Sequence, residues 1–154
     1  KKIQEECGVF GVYASQEQNL ASMTYYGLYA LQHRGQDSCG IVVNDDGVFH
    51  AYKDSGLVNE VFTPMALSGL GLGQLAVGNV RYGTSDTKER INAEPIVVNH
   101  SKGRMAISLD GKLVNSVELK REMELKGSIF HTGNDAEIIS AVIIKERINI
   151  LFSQ

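Results

Sequence analysis

The stretch Cys7-Gly8-Val9-Phe10-Gly11 constrains this chain most. An apolar run begins at a cysteine, immediately after the acids Glu5 and Glu6. Residues 7–13, CGVFGVY, read as a buried strand in which Gly8 and Gly11 permit close approach of other backbone. The plain reading of a cysteine in such a strand is core packing. The sharper reading is a nucleophile displayed at the end of a sheet, which requires a pocket facing the thiol.

Downstream, apolar positions at helical spacing (Leu20, Met23, Gly27, Ala30, Leu31) predict a helix over roughly 17–33, closed by Gly35 next to Arg34. Residues 39–44 and 48–53 predict a hairpin around Asp45-Asp46-Gly47. A short helix is expected over 58–67, although Pro64 should end or kink it. Gly69-Leu70-Gly71-Leu72-Gly73 lacks the spacing of a phosphate cradle and reads as a loop. A strand over 74–82 is followed by a long polar loop from Gly83 to Glu94, of a kind more often functional than idle.

Residues 96–99 and 104–109 predict two strands joined at His100-Ser101-Lys102-Gly103, the second stopped by Asp110-Gly111. A helix is expected over 117–126, capped by Asn115 with Glu118 and stopped by Gly127. A strand over 128–131 follows. Asn134 and Glu137 repeat the capping pattern and open a helix to about Arg147. The apolar tail 148–154 reads as a further strand in need of a pairing neighbour. Hairpins dominate, so the expected class is α+β, with mainly antiparallel sheet and helices on its outer faces.

Composition narrows the function classes. The 154 residues have room for one domain with a core. A net charge of −3, with acids and bases mixed, gives no electrostatic reason to expect nucleic acid or an anionic membrane as partner. No apolar run approaches the ~20 residues that span a bilayer, and residues 1–6 lack a secretory segment. Cys7 and Cys39 are too few for a disulfide framework, and a cytoplasmic protein with free thiols fits best. The four histidines have no metal-ligand spacing, so no metal site is expected. A Cys7–His33 dyad, as in a Cys-dependent hydrolase, is conceivable, but nothing in the spacing selects His33.

Five short blocks in one order carry more information than any of these alone. CGVFG at 7–11, LQHRGQDS at 31–38, GNVRYGT at 78–84, DGKLVN at 110–115 and NDAE at 134–137 together resemble the glutaminase domain of the N-terminal-nucleophile glutamine amidotransferases. Within that family, TYYGLYALQHRGQ resembles the amidophosphoribosyltransferases, which make 5-phosphoribosylamine in purine synthesis. The resemblance runs from Cys7 to about Arg147.

The resemblance implies an αββα sandwich of two antiparallel sheets between helices. It implies that residues 1–6 are a leader and residues 7–154 the glutaminase domain. Cleavage after Glu6 would expose an α-amine with a pKa of about 7.7–8.0, able to serve as base for the thiol of Cys7. Arg81 matches the arginine that grips the glutamine α-carboxylate, and Asp135 the acid that pairs with its α-ammonium. Thr84 and the loop through Glu94 match the segment that closes over glutamine. Arg34 and Gly35 match the turn lining the cysteine's pocket, and Gly111 the residue whose N–H helps form the oxyanion hole.

The family's oxyanion-hole block reads His-Asn-Gly-Asn-Leu, whereas this chain has Leu109-Asp110-Gly111-Lys112-Leu113. An ionised Asp110 cannot donate the hydrogen bond that an asparagine would, and a lost donor costs about 3–4 kcal/mol in the transition state. Asn79 stands where the family has histidine, Ala136 where it has threonine or serine, and Cys39 where it has alanine. Two readings follow: a working glutaminase, or an impaired paralogue that binds glutamine or sister subunits with little turnover.

The resemblance further implies glutamine as ligand and no cofactor in this chain. Magnesium, phosphoribosyl pyrophosphate and, in some members, an iron–sulfur cluster belong to a phosphoribosyltransferase domain that these residues do not include. The family's glutaminase domain also extends beyond residue 154. Missing central strands would leave an exposed sheet edge and favour a homo-oligomer.

Overall fold

The computed structural model describes residues 7–82, 90–101 and 103–152, with side chains described as far as residue 146. Strand β1 (Cys7–Gln18) leads into helix α1 (Leu20–Ala30), a 3-10 turn (Gln32–Arg34) and the hairpin β2 (Ser38–Asp45) and β3 (Val48–Ser55). Helices α2 (Val58–Val61) and α3 (Pro64–Gly69) precede β4 (Gly73–Arg81). A second 3-10 turn (Arg90–Asn92) enters the hairpin β5 (Ile96–His100) and β6 (Gly103–Ile107). Helices α4 (Ser116–Leu125) and α5 (Asp135–Phe152) follow.

The first four strands form one antiparallel sheet in the order β1-β4-β2-β3, and β5 and β6 form a second antiparallel pair. Alternation of side chains sorts the larger sheet into two faces. Cys39, Ile41 and Val43 of β2 and Ala76 and Val80 of β4 bury against Leu20, Ala21 and Leu28 of α1 and Val58, Val61 and Phe62 of and beside α2. The opposite face carries Gly11, Val42 and Val77 towards Met105 and Ala106 of β6. Helix α5 packs on β5 and β6 and against α4. Helix, sheet, sheet and helix are thus layered as expected.

The register fixes the functional end of the larger sheet. Cys7, the first residue of β1, lies opposite Arg81, the last of β4, and Arg81 pairs on its other side with Ser38 of β2. Residues directly opposite in adjacent strands share a face. Cys7 and Arg81 therefore point the same way from one end of the sheet.

Local differences from the sequence reading have identifiable causes. β1 is only partly buried: Val9 is 40% and Tyr13 73% exposed, because the small β5–β6 sheet does not cover this part of the inner face. Helix α1 starts at Leu20, where Asn19 Oδ1 accepts from Ser22 N (3.1 Å), so residues 17 and 18 remain in the strand. The region 58–67 is two helices, with Pro64 at the start of the second under a Thr63 cap. Asn115 precedes α4 without a side-chain cap bond.

Residues 128–131 form no strand. Glu137 takes the backbone N–H groups of His131 and Thr132, so it binds this segment to α5 and does not close a capping box on Asn134. The tail is not a strand either, since α5 runs on to Phe152. No proline or glycine interrupts Asp135 to Phe152, and the β-branched residues that suggested a strand are tolerated in an established helix.

Candidate active site

The thiol sits at the end of a sheet, and local packing holds its neighbours in place. Cys7 is 6% exposed. The 3-10 turn after α1 carries Arg34 over it: Arg34 Nε donates to the Cys7 carbonyl (2.6 Å) and Nη2 to Asp110 Oδ2 (2.8 Å). Gln32 anchors that turn from both ends of its amide, donating to Gly35 O (2.5 Å) and accepting from Val58 N (2.6 Å).

Gly35 does not close α1 by a left-handed turn, as the sequence suggested; its φ of −155° is extended. Its role is clearance, because a Cβ there would lie 2.6 Å from the Arg81 backbone nitrogen. The absent side chain lets the turn lie flat on β4.

A cavity of about 210 Å³ opens on the sulfur side. Cys7, Arg81, Glu94, Gly111 and Asp135 all line it. Each comes from a different segment: the start of β1, the end of β4, the approach to β5, the loop after β6 and the first turn of α5. Arg81 donates through Nη1 to Asn92 O, which holds the guanidinium at the cavity wall. Asp135 Oδ2 accepts from Leu113 N (2.8 Å) and so ties α5 to the Gly111 loop. Gly111 has φ +142°, a conformation costly for other residues. Lys112 lines the same wall.

The structure therefore brings together Cys7, Arg81, Gly111 and Asp135, with Arg34, Gly35 and Asp110 one contact behind. Thr84 lies outside the described residues. None of the four histidines lines the cavity, so the geometry gives Cys7 no imidazole partner there. A larger cavity of about 740 Å³ lies between β5, α4 and α5 and contains none of these residues.

Burial raises the Cys7 thiol pKa above its ordinary value. The backbone N–H of Tyr82 and the charge of Arg81 oppose that rise, while the charges of Glu94 and Asp110 add to it. The sulfur is thus held as a thiol near neutral pH, and an efficient attack needs a base.

Sequence reasoning named Glu94 only as the end of the segment expected to close over glutamine and missed its carboxyl group as part of the site. The residue is 3% exposed, yet it lines the cavity, and its carboxyl group has three hydrogen-bond donors around it. Burial raises its pKa against the opposing Leu109 N–H, the Asn134 amide, Arg81 and Lys53. The available signal was an acid placed immediately before the apolar run Pro95-Ile96-Val97-Val98. Asn92 was missed too: its carbonyl accepts from Arg81 and from Asn134 Nδ2 (2.9 Å), and its Oδ1 accepts from Gly133 N (2.9 Å).

Known proteins are similar to this chain in sequence and fold. Residues 83–153 match the family described as glutamine amidotransferase domain. The amidophosphoribosyltransferase of Methanocaldococcus jannaschii is 46% identical over 140 residues, which cover 91% of this chain and 30% of that protein. The Bacillus subtilis amidophosphoribosyltransferase is 41% identical over 144 residues, covering 93% of this chain and 30% of its own length.

A solved structure of the B. subtilis glutamine phosphoribosylpyrophosphate amidotransferase, complexed with ADP and GMP, superposes with a TM-score of 0.76 at 39% identity. It matches 88% of this chain and 28% of that one. The chain thus spans about 30% of the length of these relatives. Residues 83–153 therefore carry a glutamine amidotransferase domain, and over nearly its whole length the chain is similar to amidophosphoribosyltransferases.

Proposed function

We propose that this chain is the glutaminase portion of an amidophosphoribosyltransferase, acting once residues 1–6 are removed. The carrying observation is the single cavity that gathers Cys7, Arg81, Gly111 and Asp135 from four separate segments. Its two charged ends suit an amino acid. The Arg81 guanidinium is a fork for the α-carboxylate, and Asp135 is a partner for the α-ammonium. The side-chain amide then reaches towards Cys7 and Gly111.

The chemistry divides into two steps. The α-amine freed at Cys7 takes the thiol proton as sulfur bonds to the amide carbon of glutamine. Gly111 N–H stabilises the oxyanion. The carbon–nitrogen bond breaks, and the transferred proton leaves with ammonia. Water then attacks the thioester, the carbon–sulfur bond breaks, and glutamate departs as the thiol regains a proton. A base attached to the same residue suits a thiol whose pKa burial has raised.

Asp110 is accommodated without serving as a donor. Its ion pair with Arg34 balances its charge close to the oxyanion position. The ammonia would be used on phosphoribosyl pyrophosphate by a phosphoribosyltransferase domain outside these residues, which would also hold any magnesium or iron–sulfur cluster. The enzyme would work in the cytoplasm as a homo-oligomer.

The test is the intact mass of the purified full chain together with its glutamate release. A chain beginning at Cys7 that forms glutamate, and loses this on Cys7→Ala, supports the proposal. A chain beginning at Cys7 that is inert, with Asp110→Asn inert as well, overturns it.

A further inference from the structure

We infer that Glu94 is a positioning residue of the glutamine pocket, whose carboxylate ties the Gly111 segment to the Asp135 segment and so sets the spacing between the two ends of the bound amino acid. The inference rests on the functional reading above and adds a residue to it.

The geometry is a three-way bridge. Glu94 Oε2 accepts from Leu109 N (2.5 Å) and from Asn79 Nδ2 (3.2 Å), and Oε1 accepts from Asn134 Nδ2 (2.9 Å). Leu109 stands two residues before Gly111, Asn134 immediately before Asp135, and Asn79 two residues before Arg81. One buried group therefore holds together the oxyanion side, the ammonium side and the strand bearing the carboxylate fork. Asn92 supplies a second tie, but only between Arg81 and residues 133–134. Asp135 Oδ2 also accepts from Leu113 N (2.8 Å), and Asn79 Nδ2 reaches Leu109 O (3.5 Å), but each of these joins two walls, whereas Glu94 bonds to all three.

The donor set requires a carboxylate. All three partners donate, and a carboxylate accepts on both oxygens whereas an amide accepts on one. Asn134 cannot turn its amide to compensate, since its Oδ1 is engaged by Ala136 N (2.8 Å). An amide at position 94 would set an N–H group against Leu109 N or against the Asn134 amide. A buried donor left without an acceptor is costly. Glu94 is not there to activate the sulfur, because its charge disfavours the Cys7 thiolate. A buried acid that opposes the nucleophile yet bridges three pocket walls serves geometry.

The experiment compares two reagents on the full chain processed to Cys7, for wild type and Glu94→Gln. A diazoketone analogue of glutamine must occupy both ends of the pocket before it alkylates Cys7. Iodoacetamide needs only the sulfur. Glu94→Gln should lower kcat/KM for glutamine and the rate of analogue alkylation by roughly 10- to 100-fold. Alkylation by iodoacetamide, followed by mass on the Cys7 peptide, should stay the same or become faster.

Glu94→Asp keeps the charge but shortens the reach by one methylene; it should show the same split and serves if the glutamine variant does not fold. Loss of both reactions in parallel in a folded variant, or loss of neither, overturns the inference while leaving the functional reading in place. Wild-type protein inert to both glutamine and its analogue overturns that reading, and the inference with it.

Discussion

Arg34 and Asp110, 76 residues apart in sequence, form an ion pair of 2.8 Å directly behind the cysteine, and the same guanidinium holds the Cys7 carbonyl at 2.6 Å. The pair fixes Asp110 in an orientation where it only accepts. It is partly exposed, with side chains 28% and 39% accessible, so it contributes at most about 1 kcal/mol to folding. Asp110→Asn should therefore cost little stability. It should raise the glutaminase kcat by roughly 100-fold, the order of one oxyanion-hole donor. Steady-state glutamate release from chains starting at Cys7 measures this, and Asp110→Ala, which adds no donor, should give no such rise. Equal rates in Asp110→Asn and wild type would show that position 110 takes no part in stabilising the oxyanion.

Arg81 presents a different kind of test, since the role proposed for it is binding. Its guanidinium is held by Asn92 O and faces the cavity at the point where the sheet register brings β4 beside Cys7. Lysine keeps the charge but loses the fork that a carboxylate accepts from in two places. Arg81→Lys should raise the KM for glutamine by roughly 10- to 100-fold, the size of one or two charge-assisted bonds, with a smaller change in kcat. A KM that does not move would remove Arg81 from the α-carboxylate site.

Two glycines at this end of the molecule should respond in opposite ways. At Gly35 an added Cβ meets the Arg81 backbone at 2.6 Å, and backbone cannot swing aside. Gly35→Ala should cost about 1–3 kcal/mol in urea unfolding, as overpacking does. At Gly111 a Cβ meets nothing within 4 Å, but φ +142° is unfavourable for alanine. The exposed loop can relax, so Gly111→Ala should lower the glutaminase rate with less effect on stability. Similar unfolding midpoints for the two variants would mean that the turn at Gly35 yields more readily than its packing implies.

What the sequence made legible followed from local chemistry. The Asp45-Asp46-Gly47 turn, the β2–β3 hairpin and the stop at Gly127 are encoded within a few residues, and each forms where expected. The gathering of Cys7, Arg81, Gly111 and Asp135 became legible only through the order of five short blocks, since no periodicity brings them together. The illegible parts depend on contacts distant in sequence. Residues 128–131 look like a strand until Glu137 takes their N–H groups. Glu94 looks like an ordinary acid until folding surrounds it with donors from positions 79, 109 and 134. The Arg34–Asp110 pair recasts a substitution that in sequence alone reads only as a lost donor.

The clearest pH dependence should come from Glu137. The residue is 7% exposed, accepting from His131 N (2.9 Å), Thr132 N (2.8 Å) and Thr132 Oγ1 (2.6 Å). Burial by itself would raise its pKa, but the bonds from Thr132 and His131 outweigh it and leave the carboxyl below its ordinary value. A carboxyl depressed by folding binds its proton less tightly in the native state than in the unfolded chain. Its stabilisation is thus fully present above the ordinary glutamate value of about 4.3 and is lost as pH falls through the lower folded value. Glu137→Gln, which accepts on one oxygen only, should lose about 1–3 kcal/mol at pH 7. The difference from wild type should shrink as unfolding is repeated at successively lower pH below about 4.3. A difference that stays constant down to pH 3 would mean that these bonds act without discriminating between the charged and neutral carboxyl.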